Sequence, residues 1–142
     1  MAPKSDTYIE VKMLILDSTE IVPGMVRFPR GIPGFAWIRA MQLEKLPKGL
    51  WLYRSVGPHF VMVPPKSVRP DLVLDIDDAV ASRLEINSPA DAFALSVVKL
   101  DEHFEDAKAH LHSVIVVNRH TRSAMQAVLP HSPHTGWIPL YA

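Results

Sequence analysis

The segment Ser113-Val114-Ile115-Val116-Val117-Asn118, continuing through Arg119-His120-Thr121-Arg122-Ser123 to Ala124-Met125-Gln126-Ala127-Val128-Leu129, decides the fold class. Four successive β-branched residues lose side-chain freedom in a helix but pack well on a pleated surface. The run is short, as a buried strand is. The polar residues after it read as a turn, and the second apolar segment as its hairpin partner.

Outward from this hairpin the same pattern recurs. Residues 92–100 (AFALSVVKL) read as a strand, and the acidic stretch 101–106 as a loop or a single helical turn. Residues 49–56 (GLWLYRSV) and 59–64 (HFVMVP) read as a hairpin that turns at Gly57-Pro58. Trp51 and Tyr53 alternate there with Leu50 and Leu52, so one pair faces out if the strand is half-buried; an exposed Trp-Tyr pair makes a contact patch, whereas core packing is the expected use of the tryptophan. Residues 7–16 (TYIEVKMLIL) and 25–28 are expected strands, with a turn at 17–19. Residues 35–43 read as one helical turn, on Trp37, Ile38, Ala40 and Met41, leading into a strand. Leu72, Val73, Leu74 and Ile76 point to another strand. Asp77-Asp78 then cap a short helix through Ala79, Val80, Arg83 and Leu84. The tail from Pro130 reads as irregular.

Some eight or nine strands result, at the spacing of a sandwich or small barrel. Thirteen prolines in 142 residues is nearly double the usual share of about 5%. They are scattered along the chain, which favours many short elements over a few long helices. The expected fold is all-β with minor helix, a compact barrel-like antiparallel domain spanning residues 1–142.

Composition removes several function classes. Fifteen basic residues balance fifteen acidic ones, so no electrostatic footprint for a phosphate backbone exists and nucleic acid is a poor expectation. The chain has no cysteine, which excludes disulfides, thiolate metal sites and a cysteine nucleophile. No apolar run approaches the roughly 20 residues of a membrane span, and the first residues, MAPKSDTYIEVK, lack the apolar core of a secretory signal. The expectation is a soluble, cytoplasmic protein. No G-x-S-x-G, P-loop or dinucleotide fingerprint occurs.

The stretch FPRGIPGF, residues 28–35, is the most unusual. Phe28-Pro29-Arg30-Gly31 suits a type I turn, and Ile32-Pro33-Gly34-Phe35, with proline second and glycine third, a type II turn. Two tandem turns make a stiff, pre-set object. Such an object can present Arg30, Ile32 and Pro33 to a partner at little entropic cost. Alternatively Phe28, Ile32 and Phe35 plug the end of a barrel.

With this motif the chain resembles the FliW family of bacterial flagellar assembly factors. The pattern F-P-x-G-I-P-G-F is carried by Phe28, Pro29, Gly31, Ile32, Pro33, Gly34 and Phe35. Ser55-Val56 match the family's Q-S-V, with Arg54 in the glutamine's place, and Phe60-Val61 match its A-F-V. Asp91, Leu95 and Val97 match D-V-x-V-L-x-I. Phe104, Ala109, Leu111, Ile115, Val116 and Asn118 fit F-x-x-x-x-A-N-L-x-A-P-I-V-I-N. Gln126, Val128 and Leu129 match K-Q-x-V-L, and Pro139-Leu140 the terminal H-P-L. The resemblance covers residues 21–140. Besides Arg54, the chain departs from it elsewhere: Arg30 replaces an acidic residue, Asp71-Leu72-Val73-Leu74 stands for D-Y-E-F, residues 109–114 read AHLHSV for A-N-L-x-A-P, and Ser123-Ala124-Met125 replace Lys-Gly-Lys.

The resemblance implies a strand-rich, barrel-like protein of the cytoplasm that is not an enzyme and needs no cofactor or metal. It implies two alternating partners: flagellin before export, and the translational repressor CsrA, which is stopped from silencing flagellin message. The free protein is read as a monomer. Candidate partner-binding residues are Arg30, Gly31, Ile32, Pro33, Gly34 and Phe35 of the double turn, Asp71 and Val73, and the acidic Asp101, Glu102 and Glu105. That acidic stretch is either a solvated face or an electrostatic lure for a basic partner. A divergent member with changed partners is one alternative. Another is a metal-dependent enzyme built on the late histidines, with His110 and His112 on one strand face and a third ligand from His103, Glu105 or Asp106. His131 and His134 lie three apart in the tail. Asp75, Asp77 and Asp78 have acid–base or magnesium chemistry as a possible use and helix capping as the simpler one.

Overall fold

A computed structural model describes residues 13–17, 20–55, 57–130, 132–134 and 136–141. Residues 7–12 of the expected 7–16 strand, residues 18–19 of the expected 17–19 turn, Val56 and His131 lie outside them. Among the described residues are eleven strands: β1 (Met13–Ile15), β2 (Gly24–Arg27), β3 (Ala40–Lys45), β4 (Trp51–Arg54), β5 (His59–Val63), β6 (Asp75–Asp77), β7 (Ala92–Lys99), β8 (Lys108–His110), β9 (Ser113–Asn118), β10 (Ala124–Val128) and β11 (Trp137–Pro139). Two short α-helices, α1 (Pro65–Val68) and α2 (Asp78–Arg83), and three single 3-10 turns, Pro47–Gly49, Pro89–Asp91 and Phe104–Asp106, complete the list.

The fold is all-β with minor helix, as expected. Nine strands form one antiparallel sheet in the order β10-β9-β7-β5-β4-β3-β2, with β8 and β11 joined beside the C-terminal half of β7. The remaining pair, β1 and β6, is a separate ribbon. The sheet curls until its two ends touch: Arg27, closing β2, bridges Ser123, just ahead of β10, and the Arg27 N–H donates to the Arg122 carbonyl at 2.8 Å.

The expected 113–129 hairpin is β9 and β10, paired from Ala124 opposite Val117 to Val128 opposite Ser113. Its β-branched run works on both faces, because alternate side chains point opposite ways. Ile115 and Val117 enter the curled interior with Val26, Met41, Leu43, Tyr53, Met62, Phe93 and Leu95. Val114 and Val116 face the other way, into a second core with Ala92, Ala94, Leu74, Ile76, Ala81 and Leu84. α2 and β6 cover that outer face. Full burial of a side chain such as Phe93, 1% exposed, is worth roughly 1.5–3 kcal/mol.

Several expectations need correction. The tail is not wholly irregular: Trp137–Pro139 pairs with Lys108–His110, an element too short for any sequence period to mark. The strand read over residues 72–76 shrinks to Asp75–Asp77, and Leu72 and Leu74 are buried from irregular chain instead. Trp37 does not sit on a helical face; residues 35–38 make one tight turn, closed by the Ile38 N–H on the Phe35 carbonyl at 2.9 Å. α1 is unannounced except by Pro65 at its first position, where a fixed φ favours the start of a helix. The caps were legible: the Asp77 carboxylate accepts from the Val80 N–H at 2.9 Å, and Asp78 lies in the first turn of α2. Asp75 belongs to β6 and is buried.

Candidate protein-binding face

Both expected turns form. The Gly31 N–H reaches the Phe28 carbonyl at 2.9 Å, and the Phe35 N–H reaches the Ile32 carbonyl at 2.7 Å. Gly31 and Gly34 take φ of +72° and +85°, which L side chains resist. A β-carbon on Gly31 would also stand 2.5 Å from the Ala36 carbonyl oxygen. Arg39 ties the unit together, donating through Nε to the Ala36 carbonyl and through Nη1 to that of Pro29. The double turn is therefore rigid.

Its aromatic fence divides by depth. Phe28 is buried edge-on against Tyr53, centroids 5.9 Å apart, which is the plug. Ile32 and Phe35 are half-buried against the interior, with Phe35 edge-on to Phe60 at 5.7 Å. Arg30, Pro33 and Trp37 face solvent, Trp37 at 69% exposure. A mostly apolar cavity of about 160 Å³ opens between the double turn (Ile32, Pro33, Phe35) and Gln126 of β10, floored by Tyr53 and Met62.

The other candidate residues lie elsewhere. Asp71 and Val73 are exposed on the irregular chain between α1 and β6, Val73 at 50%. Asp101, Glu102 and Glu105 are exposed on the connection from β7 to β8. Glu105 borders a hollow shared with Lys48, Phe104 and Tyr141, and the Lys48 ammonium lies 4.8 Å from the Phe104 ring centre. No residue lines both this hollow and the double-turn cavity. The larger cleft nearby, about 670 Å³, carries Lys45, Lys48 and Lys66 over Leu50 and Val68; periodicity could not reveal it, because it assembles from distant connections.

The late histidines meet differently from a metal site. His110 and His112 rings stand 6.4 Å apart, and His110 is edge-on to Trp137 at 5.4 Å. His110 Nδ1 is 3.3 Å from the Ser113 hydroxyl, which accepts from the Gln126 amide at 3.0 Å. Among the described residues, no three His, Asp or Glu side chains converge as metal ligands, and no helix is long and apolar enough to cross a membrane.

Electrostatics mark the seam where the sheet closes. Arg122, between β9 and β10, donates to the Met25 carbonyl at 3.0 Å and the Val22 carbonyl at 2.9 Å, and lies over the Phe93 ring at 5.7 Å. Burial holds its guanidinium below the ordinary arginine value. Burial likewise pushes the Tyr53 phenol far above its usual range, and that hydroxyl has no hydrogen-bond partner among the described residues. On the surface, Glu44 takes a two-pronged contact from Arg54 at 2.9 and 2.8 Å, which lowers its carboxyl below the usual value.

A family model described as FliW protein matches residues 12–139. A flagellar assembly factor FliW from Geobacillus thermodenitrificans is 31% identical over 114 residues, 76% of this chain and 78% of that one. One from Oceanobacillus iheyensis is 26% identical over 127 residues, 85% and 86% of the two chains. A crystal structure of the flagellar assembly factor FliW superposes with a TM-score of 0.77 at 29% identity, covering 83% of this chain and 86% of the other.

Proposed function

The chain belongs to the FliW family and is a flagellar assembly factor, and we propose that it acts in the cytoplasm by binding flagellin before export and, alternately, the repressor CsrA. Free flagellin would then occupy the protein and release CsrA to silence flagellin message; flagellin shortage would do the reverse. The observation that carries this reading is the double turn: it holds the family motif, it is braced by its own hydrogen bonds, and it presents Arg30, Pro33 and Trp37 to solvent. A pre-ordered loop loses little entropy on docking. Gly31, Ile32, Gly34 and Phe35 set its shape.

The acidic Asp101, Glu102 and Glu105 support the second partner, since a basic RNA-binding protein is steered toward a negative rim. Asp71 and Val73 extend the proposed contact surface on a separate stretch of chain. If the two partners share one surface, competition is steric. If they use separate surfaces, a coupling of about 1–3 kcal/mol, roughly 5- to 150-fold in affinity, suffices for the switch.

Co-purification with flagellin and with CsrA of the same organism tests the proposal directly. Recovery of each singly, and not of both together, is expected; recovery of neither at micromolar concentration overturns the partner assignment. Arg30→Glu should weaken the partner that uses the double turn by about tenfold, and unchanged affinity for both returns that loop to a purely structural role.

A further inference from the structure

The hydrogen-bond alternation along β10 leaves one side of it open. In an antiparallel pair, alternate residues bond to the neighbouring strand and the rest point away. The Ser123 carbonyl accepts from the Asn118 N–H at 2.9 Å, and the Leu129 N–H donates to the His112 carbonyl at 2.7 Å. With the register of β9 and β10, this turns Met125 and Ala127 toward β9 and Gln126 and Val128 away from it. On that far side the single bridge of Arg27 with Ser123 lies just ahead of the strand. Beyond it no described strand pairs with β10. The main-chain groups of Gln126 and Val128 therefore form a short open edge, a template for another strand.

Two neighbours define what fits there. The cavity of about 160 Å³ lies against this edge, between Gln126 and Ile32, Pro33 and Phe35. A void near 150 Å³ holds something the size of benzene, hence one aromatic or branched side chain. The rim is basic. Arg27 and Arg39 are exposed and give their hydrogen bonds to main-chain carbonyls, Arg30 is exposed, and none of the three pairs with a carboxylate among the described residues. A second copy meeting this edge would set two such arginine groups against each other, a like-charge contact that costs affinity.

We propose that the open edge of β10 accepts an extended, acidic segment of a partner protein, which adds as a strand at Gln126 and Val128 and lodges one apolar side chain in the adjoining cavity. This is strand addition, in which main-chain bonds supply affinity and alternate side-chain pockets supply specificity. It rests on the reading that the chain works by binding proteins, and adds the recognition chemistry.

The probe is a seven-residue peptide alternating glutamate with valine and carrying phenylalanine at its centre, titrated against the full chain. Saturable binding is expected. Replacing its glutamates with lysines, or methylating alternate peptide nitrogens, should weaken it at least about tenfold. Amide exchange should be fast at Gln126 and Val128 in the free protein and slow on binding, with Met125 and Ala127 slow throughout. Val128→Pro removes only an outward N–H, a position where edge strands tolerate proline; it should keep the melting temperature and lose binding, and Arg30→Glu should lose binding too. Equal affinity for the methylated or lysine peptides overturns the proposal. So does protection of Gln126 and Val128 in the free protein, whether by self-association or by the chain's own termini. If the glutamate peptide fails while flagellin or CsrA co-purifies, the edge is refuted and the assembly function stands; the opposite result refutes the named partners and leaves the edge.

Discussion

A methyl group at position 31 would sit 2.5 Å from the Ala36 carbonyl oxygen, whereas one at position 34 would meet nothing within 4 Å. Both glycines have positive φ, so both resist substitution, but only the first also faces a wall. Gly34→Ala is therefore expected to cost about 1 kcal/mol in urea unfolding, and Gly31→Ala about 2 kcal/mol or more. Tyr53 is a second single-residue case. Its buried hydroxyl lacks a partner among the described residues, so Tyr53→Phe should leave stability unchanged or raise it by up to about 1 kcal/mol. Its phenol is raised in the folded state, so the native chain keeps the proton when the unfolded chain loses it. Stability is intact below about pH 10 and falls as pH rises above it. Tyr53→Phe should remove that alkaline loss, measured as melting temperature against pH. The Leu50-Trp51-Leu52-Tyr53 alternation leaves open whether Tyr53 faces solvent or core, and only the packing buries it; whether its hydroxyl finds a partner is likewise a matter of who stands opposite.

At the scale of elements, caps and turns carry the most sequence information. Asp77→Ala should destabilise by about 1 kcal/mol, since its carboxylate closes the first turn of α2. Asp91 caps more: its carboxylate accepts from the Asn87 and Ser88 N–H groups and meets His120 at 3.1 Å, pinning the start of β7 to the β9–β10 turn. The Asn87 bond leads in holding its carboxyl below the usual value. A depressed acid stabilises the fold above its unfolded value and loses that contribution as pH falls through the folded one. Stability should thus decline below about pH 4, and Asp91→Asn should flatten that acid limb in thermal unfolding. β7, β9 and α2 were readable because period, length and capping chemistry are local. β8, β11 and the shortened β6 were not: three residues contain no period, and only a partner strand makes them strands.

For the molecule as a whole, the seam is the weak line. Arg122 crosses it with two hydrogen bonds to the chain around β2 and a face-on contact with Phe93. Arg122→Ala should lower unfolding free energy by about 2 kcal/mol and speed amide exchange at Arg27. Arg122→Lys should rescue little, because one ammonium cannot match a planar fork that serves two carbonyls. If the seam also holds the double turn in place, both variants should weaken the partner that uses Arg30, in proportion to the loss of protection.

What the sequence by itself determined was the all-β character, the central hairpin, the two turns with their glycines, and the family. Each of these rests on neighbours in the chain: β-branched runs, proline and glycine at set turn positions, motifs in order. Only the tertiary structure decided which apolar side chains face the curled interior and which the outer core, that β2 meets the chain just ahead of β10 at a single bridge, and that Gln126 and Val128 are left at an edge beside a cavity. Arg122 and Val22 are separated by 100 positions, and no local pattern records such a contact. It arises because the curl of a twisted sheet brings its two ends together, and that curl is the summed geometry of every strand between them.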